Sequence, residues 1–182
     1  MNSPPTTPPL FADIIFEALT PSVSASPSQR LVEDPFGVFA LILTPTRELA
    51  IQIADQFRAL GSGSRLRTCV VIGGVEMTAQ AQRLSGRPHV VIATPGRLRD
   101  HLQSDPAMAS VFSNIRFLVL DEADRLLDSG FESEISAVLQ VAPEGRQTLL
   151  FSATITTNLR ALGVRTGGKV STGGGDREEE NK

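Results

Sequence analysis

The chain of 182 residues predicts an α/β fold, a parallel sheet flanked by helices, and two observations carry that expectation. Apolar runs at 38–44, 68–74, 89–94, 117–122 and 148–154 are rich in Val, Ile and Leu without polar alternation, as expected of strands buried on both faces. Stretches of helical periodicity separate them, and such alternation implies right-handed crossovers between parallel neighbours. Apolar residues at 41% and charged residues at 20% are ordinary for a globular protein, and the length suits one domain.

In chain order, the opening MNSPPTTPP is rich in Pro and Thr and should be extended or without fixed structure. LFADIIFEAL (10–19) puts Leu10, Phe11, Ile14, Ile15 and Ala18 on one helical face, yet a helix this short is marginal without a surface to pack on. TPSVSASPS (20–28) reads as linker, so 1–29 forms a leader. VFALILT is the first strand. A helix is expected over 47–60, where Ala50, Ile53, Phe57 and Leu60 share a face and Gly61 ends it. Then follow TCVVIGG, a helix at 76–85, HVVIAT, a helix at 97–103, FLVLDE, helices at 123–128 and 132–141, and TLLFSAT. These elements bound a domain over 30–162. Beyond Leu162, GVRTGGKVSTGGGDREEENK is glycine-rich and then charged, so disorder is expected over 163–182.

Formal charge is −3, which argues against indiscriminate coating of nucleic acid by a basic surface. The cations are almost all Arg: Lys169 and Lys182 are the only lysines, so residues 1–168 hold no lysine for catalysis or phosphate binding. The single cysteine, Cys69, forbids an internal disulfide and fits a reducing compartment. No apolar run is long enough to span a bilayer, and no secretory leader is visible before Arg30. A soluble intracellular protein without membrane contact is expected. His89 and His101 are isolated and read as structural or surface groups, and Cys69 as core. Without Trp or Tyr, an aromatic platform for stacking bases has little support.

Chemistry gathers at the strand ends. Thr44-Pro45-Thr46-Arg47 and Thr94-Pro95-Gly96-Arg97 echo one another: Thr can cap a helix and Pro can occupy its first position. That is helix punctuation, or else a pair of anion sites where helix N-termini and Arg face phosphates. Gly73-Gly74 is a strand-ending turn, or a place where backbone amides approach a phosphate. In FLVLDEAD (117–124) an apolar strand delivers Asp121 and Glu122 to its end, as in a Walker-B segment. There Asp121 would hold Mg²⁺ through water and Glu122 would orient and deprotonate an attacking water. The alternative is an acidic helix N-terminus. Ser152-Ala153-Thr154 alone is a Ser/Thr turn.

Taken together, TPTRELA (44–50), Gly73-Gly74, TPGR (94–97), DEAD (121–124) and SAT (152–154) resemble, in order and spacing, motifs Ia, GG, Ib, II and III of the DEAD-box ATP-dependent RNA helicases. The resemblance spans about 27–162, and EDPFGVFALILTPTRELA is most similar to nucleolar members of small-ribosomal-subunit assembly. It implies a RecA-like first helicase domain using ATP and Mg²⁺. It implies RNA-backbone contacts from Pro45, Thr46, Arg47, Gly74, Thr94, Gly96 and Arg97. It also implies Asp121 at Mg²⁺, Glu122 as catalytic base, and Asp124 bonded to Ser152 or Thr154 to couple nucleotide to RNA. Pre-ribosomal RNA, ribosome-assembly proteins and a nuclear, nucleolar location are implied partners and place, with no DNA.

The family's Q motif and Walker-A loop are not found in the 182 residues. Gly163-Val-Arg-Thr-Gly-Gly168-Lys169-Val170 is a near miss, because Val170 has no hydroxyl for a metal and the segment before it looks helical. The second RecA-like domain is not found either. The expectation is therefore an incomplete lobe, a member or fragment of an RNA helicase, inactive alone as an ATPase. The alternative is a lobe that binds RNA or a partner without turnover. The family's Walker-A strand lies beside the motif III strand, so TLLFSAT is expected to be an unpaired edge prone to association.

Overall fold

The computed structural model describes residues 12–13, 37–63, 66–154, 156–166 and 169–172. In order these are β1 (Ala40–Leu43), α1 (Arg47–Leu60), β2 (Thr68–Val71), α2 (Met77–Ser85), β3 (Val90–Ala93) and α3 (Pro95–Ser104). There follow a 3-10 helix (Pro106–Phe112), β4 (Phe117–Leu120), α4 (Ala123–Asp128), α5 (Glu132–Val141), β5 (Gln147–Ser152), α6 (Thr157–Thr166) and β6 (Lys169–Thr172). The sheet is six-stranded in the order β2-β3-β1-β4-β5-β6, and every pairing is parallel. This is the expected architecture, with all five apolar runs forming strands.

The missing alternation has its cause in the two cores. Leu41, Leu43, Val91, Ala93, Leu118, Leu120 and Leu150 meet α2 to α6 on one face. Ala40, Ile42, Val90, Ile92, Val119 and Leu149 meet Ala50, Ile53, Ala54 and Phe57 of α1 on the other. Ala12 is fully buried in this second core, and it and Asp13 are helical. The rest of the leader reading lies outside the described residues.

Two expectations are corrected. The segment after Leu162 is not wholly irregular: α6 continues to Thr166 and Lys169–Thr172 is a strand. That strand pairs with β5 from Leu149↔Lys169 to Ser152↔Thr172, so the edge expected to be open is covered by the chain's own hydrogen bonds. The near-miss loop is thereby excluded on geometry as well. It runs from helix into strand, with Gly163 inside α6, whereas a phosphate loop leads from strand into helix.

Candidate functional site

The parallel register sets the site. Leu43 lies between Ala93 and Leu120, so Thr44, Thr94 and Asp121 leave the sheet side by side. Three amides extend the ladder one step: Thr44 N donates to Ala93 O, Thr94 N to Val71 O and Asp121 N to Leu43 O. Ser152 ends β5 on the same edge. All the predicted site residues are therefore carried by one edge of the sheet.

The two Thr-Pro segments are not equivalent, which corrects the expected echo. Helix α3 starts as foreseen, with Thr94 as N-cap and Pro95 as first residue, although the Thr94 hydroxyl makes no capping bond. In α1 the N-cap is Thr46, whose Oγ1 accepts from Leu49 N at 3.2 Å, so Pro45 precedes the cap and Thr44 is not one. Arg47 thus occupies the first position of its helix and Arg97 the third.

Both arginines close on the turn after β2. Arg47 Nη1 donates to Gly73 O at 3.4 Å, and Arg97 Nη1 donates to Val75 O at 2.6 Å. Gly74 adopts φ +78°, and a Cβ there would come 2.5 Å from Arg47 Nη1. Arg47 is exposed, whereas the Arg97 side chain retains only 17% of its exposure and lies 3.8 Å from Asp100. The first-turn amides of α3, those of Gly96 and Arg97, open on this edge without intrahelical acceptors. Sequence reasoning missed Gln80. It is buried, and its amide bonds Ile72 N, Ile72 O and Val75 O at 3.0–3.1 Å. A lone Gln on a helix face offers no pattern by which to find it.

Across β1 lies the acidic part. Burial, opposed by the Glu122 amide and reinforced by the Glu122 charge, pushes the Asp121 carboxyl up to about 6. Glu122 sits in the left-handed region at φ 49° and ψ 51°, strain that a sequence does not display, and its Oε2 pairs with Arg125 Nη1 at 2.7 Å. Asp124 is buried. Its Oδ2 accepts from Thr154 Oγ1 at 2.8 Å and its Oδ1 from Arg125 N at 3.0 Å. Burial pushes this carboxyl up, but the hydrogen bonds, led by that of Thr154, win and hold it below its ordinary value. Ser152 Oγ donates to Thr154 O at 2.7 Å and orients the residue that holds Asp124. The expected bridge between DEAD and SAT segments thus runs chiefly through the Thr154 hydroxyl, with the Ser152 side chain also bonded to Asp124.

The other singled-out residues are structural in placement. His89 Nδ1 accepts from Arg67 N at 3.0 Å, and His101 is fully buried. Burial pushes the Cys69 thiol up to about 11, as befits a core thiol. Among the described residues no group of three or more His, Cys, Asp or Glu could hold a metal alone. Asp121 nevertheless fits a Mg²⁺ ligand acting through water: its carboxyl is buried, destabilised as an anion and repelled by Glu122, all of which a divalent cation reverses. A triphosphate is not fitted by the described residues, which include no strand-to-helix glycine cradle with Lys and Ser/Thr.

Known proteins resemble this chain. The family model described as DEAD/DEAH box helicase matches residues 18–162, reaching further into the leader than the motifs do. The chain is 58% identical over 133 residues to DEAD-box ATP-dependent RNA helicase 36 of Arabidopsis thaliana, covering 73% of this chain and 27% of that protein. It is 58% identical over 137 residues to the probable ATP-dependent RNA helicase DDX49 of Homo sapiens, covering 74% and 28%. To the ATP-dependent RNA helicase DBP8 of Lodderomyces elongisporus it is 53% identical over 133 residues, covering 71% and 30%. The chain therefore spans about 27–30% of the length of these relatives. Among solved structures, a DEAD box protein from the hyperthermophile Methanococcus jannaschii superimposes with a TM-score of 0.68 at 34% identity, over 79% of this chain and 38% of that one. With its RecA-like parallel sheet and a family match over most of its length, the chain belongs to the DEAD/DEAH box helicase family.

Proposed function

We propose that these residues are the RNA-gripping and motif II portion of an ATP-dependent RNA helicase, working on RNA of ribosome assembly. The observation that carries this reading is the convergence of Arg47 and Arg97 on one glycine turn, at the sheet edge that also bears Asp121 and Glu122. The RNA backbone would lie along Pro45, Thr46, Arg47, Gly74, Thr94, Gly96 and Arg97. Amides at two helix N-termini and two guanidinium groups meet phosphates there, so recognition is by backbone and not by base. Asp121 would hold Mg²⁺ through water, and that ion supplies charge neutralisation at a phosphate. Glu122 would be the general base, with Arg125 holding its carboxylate. Asp124, Thr154 and Ser152 connect the acidic loop to the end of β5, and this link would couple nucleotide to RNA. No hydrolytic step is assigned to these residues alone, since they do not cradle a triphosphate. Similarity of EDPFGVFALILTPTRELA to nucleolar members supports pre-ribosomal RNA as substrate, ribosome-assembly proteins as partners and the nucleolus as location.

The test is titration of fluorescently labelled single-stranded RNAs of several sequences at graded salt. Arg47→Ala with Arg97→Ala is expected to weaken binding uniformly across sequences by about tenfold or more, and to flatten the salt slope by about 1.4, at about 0.7 per phosphate contact on single strands. Sequence-selective, salt-insensitive binding would show that another surface is used.

A further inference from the structure

We infer that Gln80, which no helicase motif contains in this chain, is a positioning residue that sets the Gly73–Val75 turn for the RNA backbone; this rests on the reading of that turn as a backbone contact. The argument begins at the end of β2. The strand stops at Val71, and Ile72 is buried at 7% exposure, so its N–H and C=O need partners within the protein. Gln80 supplies both: its Oε1 accepts from Ile72 N at 3.0 Å and its Nε2 donates to Ile72 O at 3.1 Å. A side-chain amide thereby imitates one peptide of a neighbouring strand, and both peptide groups of Ile72 are held in direction. The second Nε2 hydrogen reaches Val75 O at 3.1 Å, on the far side of the two glycines. Gln80 therefore spans the turn from entry to exit, and the left-handed φ of +78° at Gly74 closes the path between.

What the turn presents then depends on Gln80. Val75 O is the atom that Arg97 grips at 2.6 Å, and Gly73 O is the atom that Arg47 reaches at 3.4 Å. The carbonyl bonded by Gln80 from below is the same one bonded by Arg97 from the solvent side. The chemistry admits no simple substitute. Glutamate keeps the acceptor but turns the donors into a charge facing two carbonyls, asparagine is one methylene short, and leucine leaves buried peptide groups without partners. Gln80 makes these bonds from inside α2, whose N-cap Glu76 contributes no capping side chain, so the start of α2 and the turn are held by one amide.

The experiment uses the whole 182-residue chain and the same labelled single-stranded RNA at low salt. Gln80→Leu is expected to weaken RNA binding about tenfold, and amide exchange at Ile72 should rise more than elsewhere in the domain. Val119→Ala, a core change on β4, is the control for lost stability: it lowers Tm and leaves affinity within about twofold. In the Arg97→Ala background Gln80→Leu should cost less than about threefold, because both act through Val75 O. If Gln80→Leu does not fold, Gln80→Glu replaces it, with affinity expected to recover as falling pH protonates the carboxyl into a donor. Affinity unchanged in Gln80→Leu while the double arginine variant loses binding overturns the inference and spares the proposed function. A loss fully additive with Arg97→Ala also overturns it. If the unaltered chain binds no RNA, the proposed function falls, and unchanged Ile72 exchange in Gln80→Leu would remove the positioning role as well.

Discussion

At Gly74 a φ of +78° selects glycine, and a Cβ there would also displace the end of the exposed Arg47 side chain, 2.5 Å away. Gly73 and Gly96 meet neither, since a Cβ at each has nothing within 4 Å. The fold therefore demands glycine at Gly74 and leaves room for a side chain at Gly73 and Gly96, where the proposed RNA contact supplies the reason for glycine. Gly74→Ala should lower stability by about 1–3 kcal/mol. Gly96→Ala should raise it by up to about 1 kcal/mol, because glycine is a poor helix residue, yet weaken RNA binding. Urea midpoints beside RNA titrations check the pair, and Gly96→Ala with unchanged affinity would remove Gly96 from the interface.

The two aspartates of the acidic loop titrate in opposite senses. Asp121, pushed from 3.8 to about 6 by burial, favours the protonated folded state between those values. Its contribution to stability therefore falls as pH rises from about 4 to about 6, by roughly 1–3 kcal/mol. Asp124 lies below 3.8, so its contribution is full above that value and is lost as pH falls through its lower folded pKa. Asp121→Asn should accordingly be more stable than the parent at pH 7, with the difference vanishing below about pH 4. A thermal-melt series against pH reads this directly. An Asn variant no more stable at pH 7 would mean that the carboxylate is not strained.

At the scale of the element, strands were legible because burial on both faces leaves no polar alternation to confuse the pattern, and their ends showed where chemistry gathers. The start of α1 was not, since Thr-Pro-Thr offers two candidate caps and only the bond from Leu49 N to Thr46 Oγ1 chooses between them. β6 was missed because KVST is short and polar and lies between glycines; its pairing depends on an edge presented by β5, not on its own propensity. That dependence predicts what a chain ending at Thr166 would do. With β5 uncovered, Leu149, Leu150 and Phe151 form an open apolar edge, and such a chain should self-associate where the 182-residue chain does so less. Light scattering across a concentration series decides it, and equal association of the two would show that β6 does not protect the edge.

At the scale of the whole molecule, a formal charge of −3 is compatible with the proposed grip on RNA, because that grip asks for only a few cations at one place. Arg47 and Arg97 reach one turn on the sheet edge, while Arg125 neutralises Glu122 and Arg99 neutralises Glu134 elsewhere. The same edge carries both the proposed backbone grip and the acidic loop, and the Thr154–Asp124 bond ties that loop to the end of β5. Yet the two are unequal in what they can do alone. Gripping a phosphate backbone needs amides and guanidinium groups, and the proposed contacts supply both. Phosphoryl transfer needs a triphosphate held in line with the attacking water, which is mainly a matter of positioning and charge stabilisation. Asp121 and Glu122 offer a metal ligand and a base, but residues 1–168 hold no lysine, and Lys169 begins the covering strand β6. A polypeptide of these 182 residues is therefore expected to bind RNA with an affinity that falls steeply with salt while releasing no phosphate from ATP above background, with or without RNA. Turnover that is abolished by Glu122→Gln would overturn this, because it would require a phosphate cradle that the described residues do not form.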